Sequence, residues 1–329
     1  MIEVKRQLRF DLFHHLHALA EGTDLELKRS QFHEKFGAFV EQYSTYAFGI
    51  IRHAIGQPNK KRRSCRFCGM GMPDVTFDGK AHAISEALGN KTLTLYDECD
   101  GCNLRFSRTI EPSIVSIFSL FRTFFGVKGK GGEKVITGDG FKIRNVDGEV
   151  QIEITGDIAR PEPGSSEYAL NLPTRDPVVA QDLYRCLCKY FLSVIPESEL
   201  GKFKRTIGWV NGASTFDELP RVAVLLNNDL FTEQPLLTTY LRITDDKSIP
   251  FAVGQFRFAI QTYLFIIPLS EEDDRPFTNE MDHSNFWNTF KHLTQSPGWD
   301  FRDLSDTKKR NITWSLRAKI EKKDNGDLC

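Results

Sequence analysis

The chain has 329 residues, of which 40% are apolar, and its 43 basic and 44 acidic residues leave a formal net charge of −1. This length is enough for two domains, and the composition is that of an ordinary globular protein rather than a disordered one. The near-neutral charge excludes a uniformly basic nucleic-acid coat, so any surface that binds polyanions must be local.

The start of the chain does not have the pattern of a signal peptide. Lys5, Arg6 and Arg9 precede a stretch that Asp11 and three histidines interrupt. No apolar run in the sequence approaches the length needed to cross a membrane. We therefore expect a cytoplasmic protein that has no membrane partner.

Residues 1–57 are predicted to form a helical N-terminal segment. Apolar residues recur in it at helical spacing, which predicts two or three helices, and Pro58 prevents the last of them from continuing. His14, His15 and His17 do not predict a metal site, because adjacent histidines on a helix point to different faces. These helices could dimerise, contact DNA or brace the region that follows, and the sequence does not rank the three.

Two Cys-x-x-Cys pairs follow, formed by Cys65 with Cys68 and by Cys99 with Cys102. Each pair closes a tight turn, and two such turns supply the four sulfur ligands of a tetrahedral structural Zn²⁺ site. The insert between the pairs is longer than in an ordinary zinc ribbon, and a redox dithiol is the other interpretation of each pair. Two copies in one region, without a thioredoxin-like strand and helix, favour zinc. The remaining cysteines imply no disulfide framework.

Between and beside these pairs the chain has the order Ala-His-x-Ile-x-Glu-x-Leu-Gly-Asn and then Glu-Cys-x-x-Cys-Asn. Together with the first Cys-x-x-Cys, this order resembles the HNH endonucleases, in particular the zinc-stabilised branch whose nuclease motif lies between two cysteine knuckles. The resemblance covers roughly residues 65–111. Outside that window the sequence resembles no family closely enough to transfer a function.

The resemblance implies a ββα-metal nuclease core, which we place at residues 58–132. By position it assigns His82 as the general base, Asn90 as the middle residue of the catalytic motif, and Asn103 as a ligand of a catalytic Mg²⁺ or Mn²⁺ ion. Phosphodiester hydrolysis independently requires a deprotonated water, and imidazole has its pKa near working pH. Because Asn103 follows the last zinc cysteine, the zinc would fix the start of the catalytic helix.

One residue departs from the pattern of the family. Many HNH sequences have an acidic metal ligand directly before the histidine, where this chain has Ala81. Asp78 lies just upstream, and Glu111 lies two helical turns beyond Asn103, so either could complete the cation site. The alternative for Asp78 is a solvated loop carboxylate, and the alternative for Glu111 is a charge at a helix N-terminus. Glu111 is slightly favoured as the cation ligand.

Basic residues are concentrated in and around the same region. Residues 52–134 contain fourteen Lys and Arg against eight Asp and Glu, although the whole chain is near neutral. Such asymmetry is typical of a module that contacts phosphate backbones without reading bases. The predicted nucleic-acid contacts are Lys60, Lys61, Arg62, Arg63, Arg66, Arg105, Arg108, Lys128 and Lys130.

After the second cysteine pair the pattern changes from helical to mixed. Residues 110–125 predict a helix, and the glycine-rich residues 126–132 predict a linker or a loop along a phosphate backbone. A P-loop is excluded there because Gly-Lys-Ser/Thr is absent. Residues 133–329 predict an accessory α+β domain, in which short strands with Gly and Asp turns flank a long amphipathic helix at 176–195. The overall class is α+β, with N-terminal helices and a nuclease core before this domain.

Two functions of different classes follow from these observations. One is a metal-dependent endonuclease that acts on DNA, with RNA as an alternative substrate, and the resemblance extends this to an effector of bacterial antiviral defence. The other is a non-catalytic zinc module that binds nucleic acid and leaves His82 idle, which Ala81 favours. The accessory domain is expected to regulate, to form a homo-oligomer or to bind an activating partner.

Overall fold

The structure is a computed structural model that describes residues 37, 39, 41–49, 52–128, 135–155, 159–161, 167–173, 176–226, 231–290 and 298–319. The helices are α1 (Asp100–Arg108), α2 (Glu111–Ile117), α3 (Ser119–Phe124), α4 (Ala180–Val194), α5 (Lys204–Val210) and α6 (Glu280–Phe290). The strands are β1 (Tyr43–Phe48), β2 (His53–Ile55), β3 (Ala81–His82), β4 (Leu93–Leu95), β5 (Ile136–Gly138), β6 (Phe141–Val146), β7 (Glu149–Ile154), β8 (Ala159–Pro161), β9 (Glu167–Pro173), β10 (Val178–Val179), β11 (Val222–Leu226), β12 (Thr232–Arg242), β13 (Ala252–Ala259), β14 (Gln261–Ile266), β15 (Asp300–Arg302), β16 (Lys309–Arg310) and β17 (Thr313–Lys319). This mixture confirms the α+β class.

The largest described sheet has six antiparallel strands in the order β1-β12-β13-β14-β11-β15. Its edge strand β1 runs from Tyr43, opposite Arg242, to Phe48, opposite Leu237. The prediction of helices up to residue 57 is therefore wrong for β1 and β2. Over the first four residues of β1 buried and partly exposed side chains alternate with a period of two, which the helical pattern before it concealed. The predicted helices in residues 1–36 and their histidines lie outside the described residues.

The two faces of this sheet are covered by different helices. On one face, Tyr190 and Tyr184 of α4 pack their rings against Phe256 and Phe265, with centroids 5.7 and 6.3 Å apart. On the other face, Phe290 of α6 lies against rings of β1 and β12. Helix α4 is buried along almost its whole length, including Cys186 and Cys188, and confirms the helix predicted at 176–195.

A small three-stranded sheet lies beside α4, in the order β2-β4-β3. Strand β2 is parallel to β4, and β3 is antiparallel to it, with Ala81 opposite Leu95 and His82 opposite Thr94. Helix α1 follows β4 after four residues, and the Cys99 sulfur caps its N-terminus by accepting a hydrogen bond from the backbone N–H of Cys102. β3, β4 and α1 thus follow one another along the chain, with one 3₁₀ turn at Glu86–Leu88 between the two strands.

The helix predicted at 110–125 is divided into α2 and α3 at Phe118. Phe118 is fully buried, and its ring lies 5.9, 5.2 and 5.8 Å from those of Phe256, Phe258 and Tyr263 in the six-stranded sheet. The predicted nuclease core and the predicted accessory domain therefore share one continuous hydrophobic cluster. The boundary placed between residues 132 and 133 stays a prediction.

The strands predicted after residue 133 are confirmed. Strands β5, β6 and β7 form a meander, in which Asp147 and Gly148 adopt positive φ angles of 52° and 91°, as a type I′ hairpin turn requires. A third three-stranded sheet, β17-β9-β8, packs beside this meander through residues such as Phe141 and Leu172. No helix in the described part of the chain is long and apolar enough to cross a membrane.

Candidate metal centre and candidate active site

The four predicted zinc cysteines come together in one cluster. The sulfur atoms of Cys65, Cys68, Cys99 and Cys102 all lie within 4.8 Å of one another. Zinc–sulfur bonds of about 2.3 Å in a tetrahedron place sulfur atoms about 3.8 Å apart, and the sulfurs of Cys68 and Cys99 are 3.8 Å apart. Three of the cysteines are buried and Cys68 is partly exposed. The donor set therefore fits a structural metal ion such as zinc.

Backbone hydrogen bonds prepare these sulfurs for a metal. The Cys99 and Cys102 N–H groups donate to the sulfurs of Cys65 and Cys99, each at 3.4 Å. The first turn closes with Gly69 N–H donating to the Cys65 carbonyl at 2.7 Å, and Gly69 has a φ of 73° that favours glycine. The hydrogen bond with Cys102 lowers the pKa of the Cys65 thiol to about 4, whereas burial raises the pKa of Cys99 to about 11 and the hydrogen bond with Cys65 raises the pKa of Cys102. Without a metal the cluster therefore favours one thiolate, at Cys65, and zinc binds the thiolate form.

Arg105 supports the cysteine cluster from α1. Its guanidinium donates to the Cys102 sulfur at 3.4 Å and to the Asn211 side-chain oxygen at 2.6 Å. Asn211 in turn donates to the Phe67 carbonyl at 2.6 Å, which links the end of α5 to the first cysteine turn. Arg105 is partly exposed, so its contact with nucleic acid stays a prediction, although its guanidinium is hydrogen-bonded at the cluster.

His82 lies at the end of β3 with only 11% of its side chain exposed. Burial lowers the pKa of this imidazole, so it is neutral at neutral pH and able to accept a proton. Its Nδ1 atom is 3.9 Å from a carboxylate oxygen of Glu86. Ala81, at the position where an acidic ligand was expected, is buried in the hydrophobic cluster.

Asn90 is buried in the loop between β3 and β4, and both the nitrogen and the oxygen of its side-chain amide form hydrogen bonds. The amide nitrogen donates to the carbonyls of Ile84 and Leu93 at 2.7 and 3.0 Å. The amide oxygen accepts from the N–H groups of Thr92 and Leu93 at 3.2 and 2.9 Å. The side chain therefore holds the loop that connects the His82 strand to β4, and it contributes through the backbone.

Asn103 lies in the first turn of α1, where its N–H donates to the Cys99 carbonyl at 3.0 Å. Its side chain is half-buried and has no hydrogen-bond partner among the described residues. Asp100, in the same turn, accepts from the N–H groups of Asp78 and Gly79 at 2.9 and 2.8 Å. Asp100 thereby ties the chain just before β3 to the start of α1.

A buried ion cluster that the sequence did not predict lies behind β3. The ammonium of Lys189 on α4 is fully buried, 3.2 Å from a Glu98 oxygen and 3.4 Å from a Glu111 oxygen. It also donates to the His82 carbonyl at 3.1 Å. Burial raises the pKa of Glu98 to about 7. Burial lowers the pKa of Lys189, whereas the charges of Glu98 and Glu111 raise it. The second effect is larger, so the pKa of Lys189 lies above its ordinary value.

A signal for Lys189 was present in the sequence. It is a single lysine within an apolar run of a predicted helix, Cys-Leu-Cys-Lys-Tyr-Phe-Leu. Every neighbour at helical spacing on this stretch is buried, so the lysine had no solvated face to occupy. A buried lysine requires an acidic partner, although the sequence does not identify which one.

The two carboxylates considered as cation ligands are both engaged by lysines. Glu111 pairs with Lys189, and Asp78 is exposed and pairs with Lys60 at 3.0 Å. Within the described ranges, the cysteine cluster is the only group of three or more His, Cys, Asp or Glu side chains close enough to hold a metal. The His, Cys, Asp and Glu side chains described around His82 therefore do not by themselves form a three-ligand site for Mg²⁺ or Mn²⁺.

The predicted nucleic-acid contacts divide into exposed and buried residues. The exposed ones are Lys60, Lys61, Arg62, Arg108 and Lys128, and Lys130 lies outside the described residues.

The prediction is wrong for Arg63 and Arg66, which are buried. Arg63 stacks on Tyr96 at 4.6 Å from the ring centroid and donates hydrogen bonds to the carbonyls of Gln57 and Pro58. Arg66 donates to the Leu192 carbonyl at 2.7 Å and pairs with Asp97 at 3.6 Å. Both guanidiniums stabilise the fold.

Comparisons of the chain with protein-family models, with curated proteins and with solved structures found no match.

Proposed function

We propose that this chain is an HNH-type endonuclease that hydrolyses DNA phosphodiester bonds, with His82 as the general base. The observation that carries the proposal is the placement of a histidine, with 11% of its side chain exposed, on β3 of a strand–strand–helix unit. Asn90 holds the loop of this unit, and the cysteine cluster anchors its helix. The order of these parts along the chain agrees with the HNH resemblance.

The chemistry assigned to this chain is proton transfer at His82. A neutral imidazole accepts a proton from the attacking water, and the Glu86 carboxylate near Nδ1 then stabilises the imidazolium that forms. Exposed basic residues such as Lys61, Arg62 and Arg108 would bind the phosphate backbone without sequence preference. This supports DNA as the partner, and RNA would be bound by the same charges.

A divalent cation remains part of the proposal. Magnesium or manganese would supply charge neutralisation at the phosphate. Of the three ligands considered, Asn103 is the one whose side chain has no partner among the described residues. A cation would therefore depend on substrate oxygens for most of its ligands, and we expect weak cation binding in the absence of DNA.

The test is nicking of supercoiled plasmid by the purified full-length protein, with and without magnesium or manganese. We expect cation-dependent nicking by the wild type and its loss in His82→Ala. The matched control is His53→Ala, which removes an exposed histidine from β2 of the same small sheet and should nick like the wild type. His82→Ala should keep its metal content and its DNA affinity, because His82 is not in the cysteine cluster.

The competing proposal is a non-catalytic zinc module that binds nucleic acid, which the buried Ala81 favours. It predicts DNA binding without nicking by the wild type under either cation. Nicking that survives in His82→Ala would instead contradict the assignment of the base. A role in antiviral defence, in the cytoplasm and with an oligomeric or activating partner, would be tested by restoring nicking with extract from infected cells.

A further inference from the structure

Lys189 makes its contacts with three separate segments of the candidate nuclease unit. Glu98 lies directly before α1, Glu111 begins α2, and the His82 carbonyl belongs to β3. The lysine itself comes from α4, which packs on the six-stranded sheet. One ammonium group, which donates to the His82 carbonyl and to a Glu111 oxygen and forms an ion pair with Glu98, thus joins the small sheet, both helices after it and the C-terminal half of the chain.

The contact with His82 satisfies a backbone group that β3 leaves open. β3 is an edge strand, and the Ala83 N–H donates to the Leu93 carbonyl at 3.2 Å. Because hydrogen-bonded and non-hydrogen-bonded pairs alternate in an antiparallel ladder, His82 opposite Thr94 directs its carbonyl away from β4. Lys189 is the donor for this carbonyl. The strand that presents the imidazole is therefore held on one side by β4 and on the other by α4.

We infer that Lys189 is the positioning residue for His82, through which α4 and the sheet behind it set the orientation of the candidate catalytic strand. The inference rests on the proposed function for its effect on cleavage. A strand of two residues fixes a side chain poorly by its own ladder, so the second anchor decides where the imidazole lies. Movement of α4 would change the site without any contact to the substrate.

The test compares the wild type with Lys189→Met/Glu98→Gln in the full-length chain. These substitutions remove a fully buried ammonium and a fully buried carboxylate together, and only the Glu111 carboxylate, whose side chain is 13% exposed, loses its ion-pair partner. Glu111 is retained so that a possible cation ligand is not lost. The matched control is Lys202→Met/Glu199→Gln, which removes a surface ion pair of 2.9 Å outside the small sheet.

Two quantities are measured, namely the imidazole resonance of His82 in protein with isotope-labelled histidine and the single-turnover nicking rate. His82→Ala identifies the resonance. In the double variant we expect the resonance to shift or split and the rate to fall roughly 10- to 100-fold, as a misplacement of about 1 Å can cause. Zinc content and DNA affinity should stay at the wild-type values, and the control pair should change neither quantity.

The inference is overturned if the His82 resonance is unchanged, or if the rate equals or exceeds that of the wild type. If the double variant loses zinc or unfolds, Lys189→Arg decides by the same two quantities, because it keeps the charge and alters the reach of the side chain. If the wild type itself does not nick DNA, the proposed function fails while the resonance alone still decides the role of Lys189.

Discussion

At the scale of single residues, the ionisation of His82 determines the pH range in which it can act as a base. Burial lowers its pKa, Glu86 and Glu111 oppose that effect, and Lys80 and Lys189 add to it. The neutral imidazole is the active form, so the rate should be constant near neutral pH and fall as the pH drops through the lowered pKa.

Two variants should move this fall in opposite directions. Lys80→Gln removes a charge that lowers the His82 pKa, so the rate should begin to fall at a higher pH. Glu86→Gln removes a charge that raises the pKa, so the fall should move to lower pH. The measurement is the pH dependence of single-turnover nicking, with the exposed Lys91→Gln as control. Shifts of the same sign in both variants would contradict this account.

The two asparagines of the motif should respond differently to substitution. Asn90→Ala leaves the Ile84 carbonyl and the Leu93 N–H without partners in a buried loop and removes one of the two donors to the Leu93 carbonyl, so we expect a loss of about 3 kcal/mol in the free energy of unfolding. Asn103→Ala breaks no described hydrogen bond and should change stability by less than about 0.5 kcal/mol while it lowers nicking. Urea unfolding of both variants checks this, and equal losses would refute the distinction.

At the scale of elements, α1 depends on the metal for its start. Cys99 caps the helix and shares the cluster with Cys102, so Cys99→Ser should lose the metal, and structural zinc supplies on the order of 10 kcal/mol in small domains. Cys186→Ala, in buried α4, should keep its zinc and lose about 1 kcal/mol. Zinc analysis and thermal unfolding measure both. A Cys99→Ser protein that retains zinc and its Tm would exclude this role.

Elements with local signals could be predicted from the sequence, and those that depend on distant partners could not. The cysteine turns and the Asp147–Gly148 hairpin are encoded within a few residues, and both are confirmed. Strand β1 was predicted as helix because its partner is β12, far along the chain. The burial of Arg66 and Lys189 likewise depends on acceptors that only the folded chain brings near. A charged residue in the sequence indicates that a polar contact can form there, but it does not identify the partner.

At the scale of the whole molecule, the small sheet and the large one are expected to unfold together. Phe118 inserts into the six-stranded sheet, and Arg66 donates to carbonyls at the end of α4. A fragment of residues 58–132 would expose these surfaces, so we expect it to bind zinc but to lack fixed tertiary packing. Dye binding and the dispersion of its NMR spectrum, beside the full-length chain, test this. A well-dispersed spectrum with nicking activity would establish an independent domain.

The separation of these contacts along the chain has a consequence for synthesis. The hydrogen bond from Lys189 to His82 spans 107 residues, and the one from Tyr43 to Pro250 spans 207. A nascent chain emerges N-terminus first at about 5–20 residues per second, so His82 and the four cysteines of the metal cluster leave the ribosome well before α4 and β12. Zinc can bind early, whereas β3 lacks its contact with Lys189 until α4 has been synthesised. Under the proposed function, translation of most of the chain precedes any ability to cut, which protects nucleic acid near the ribosome.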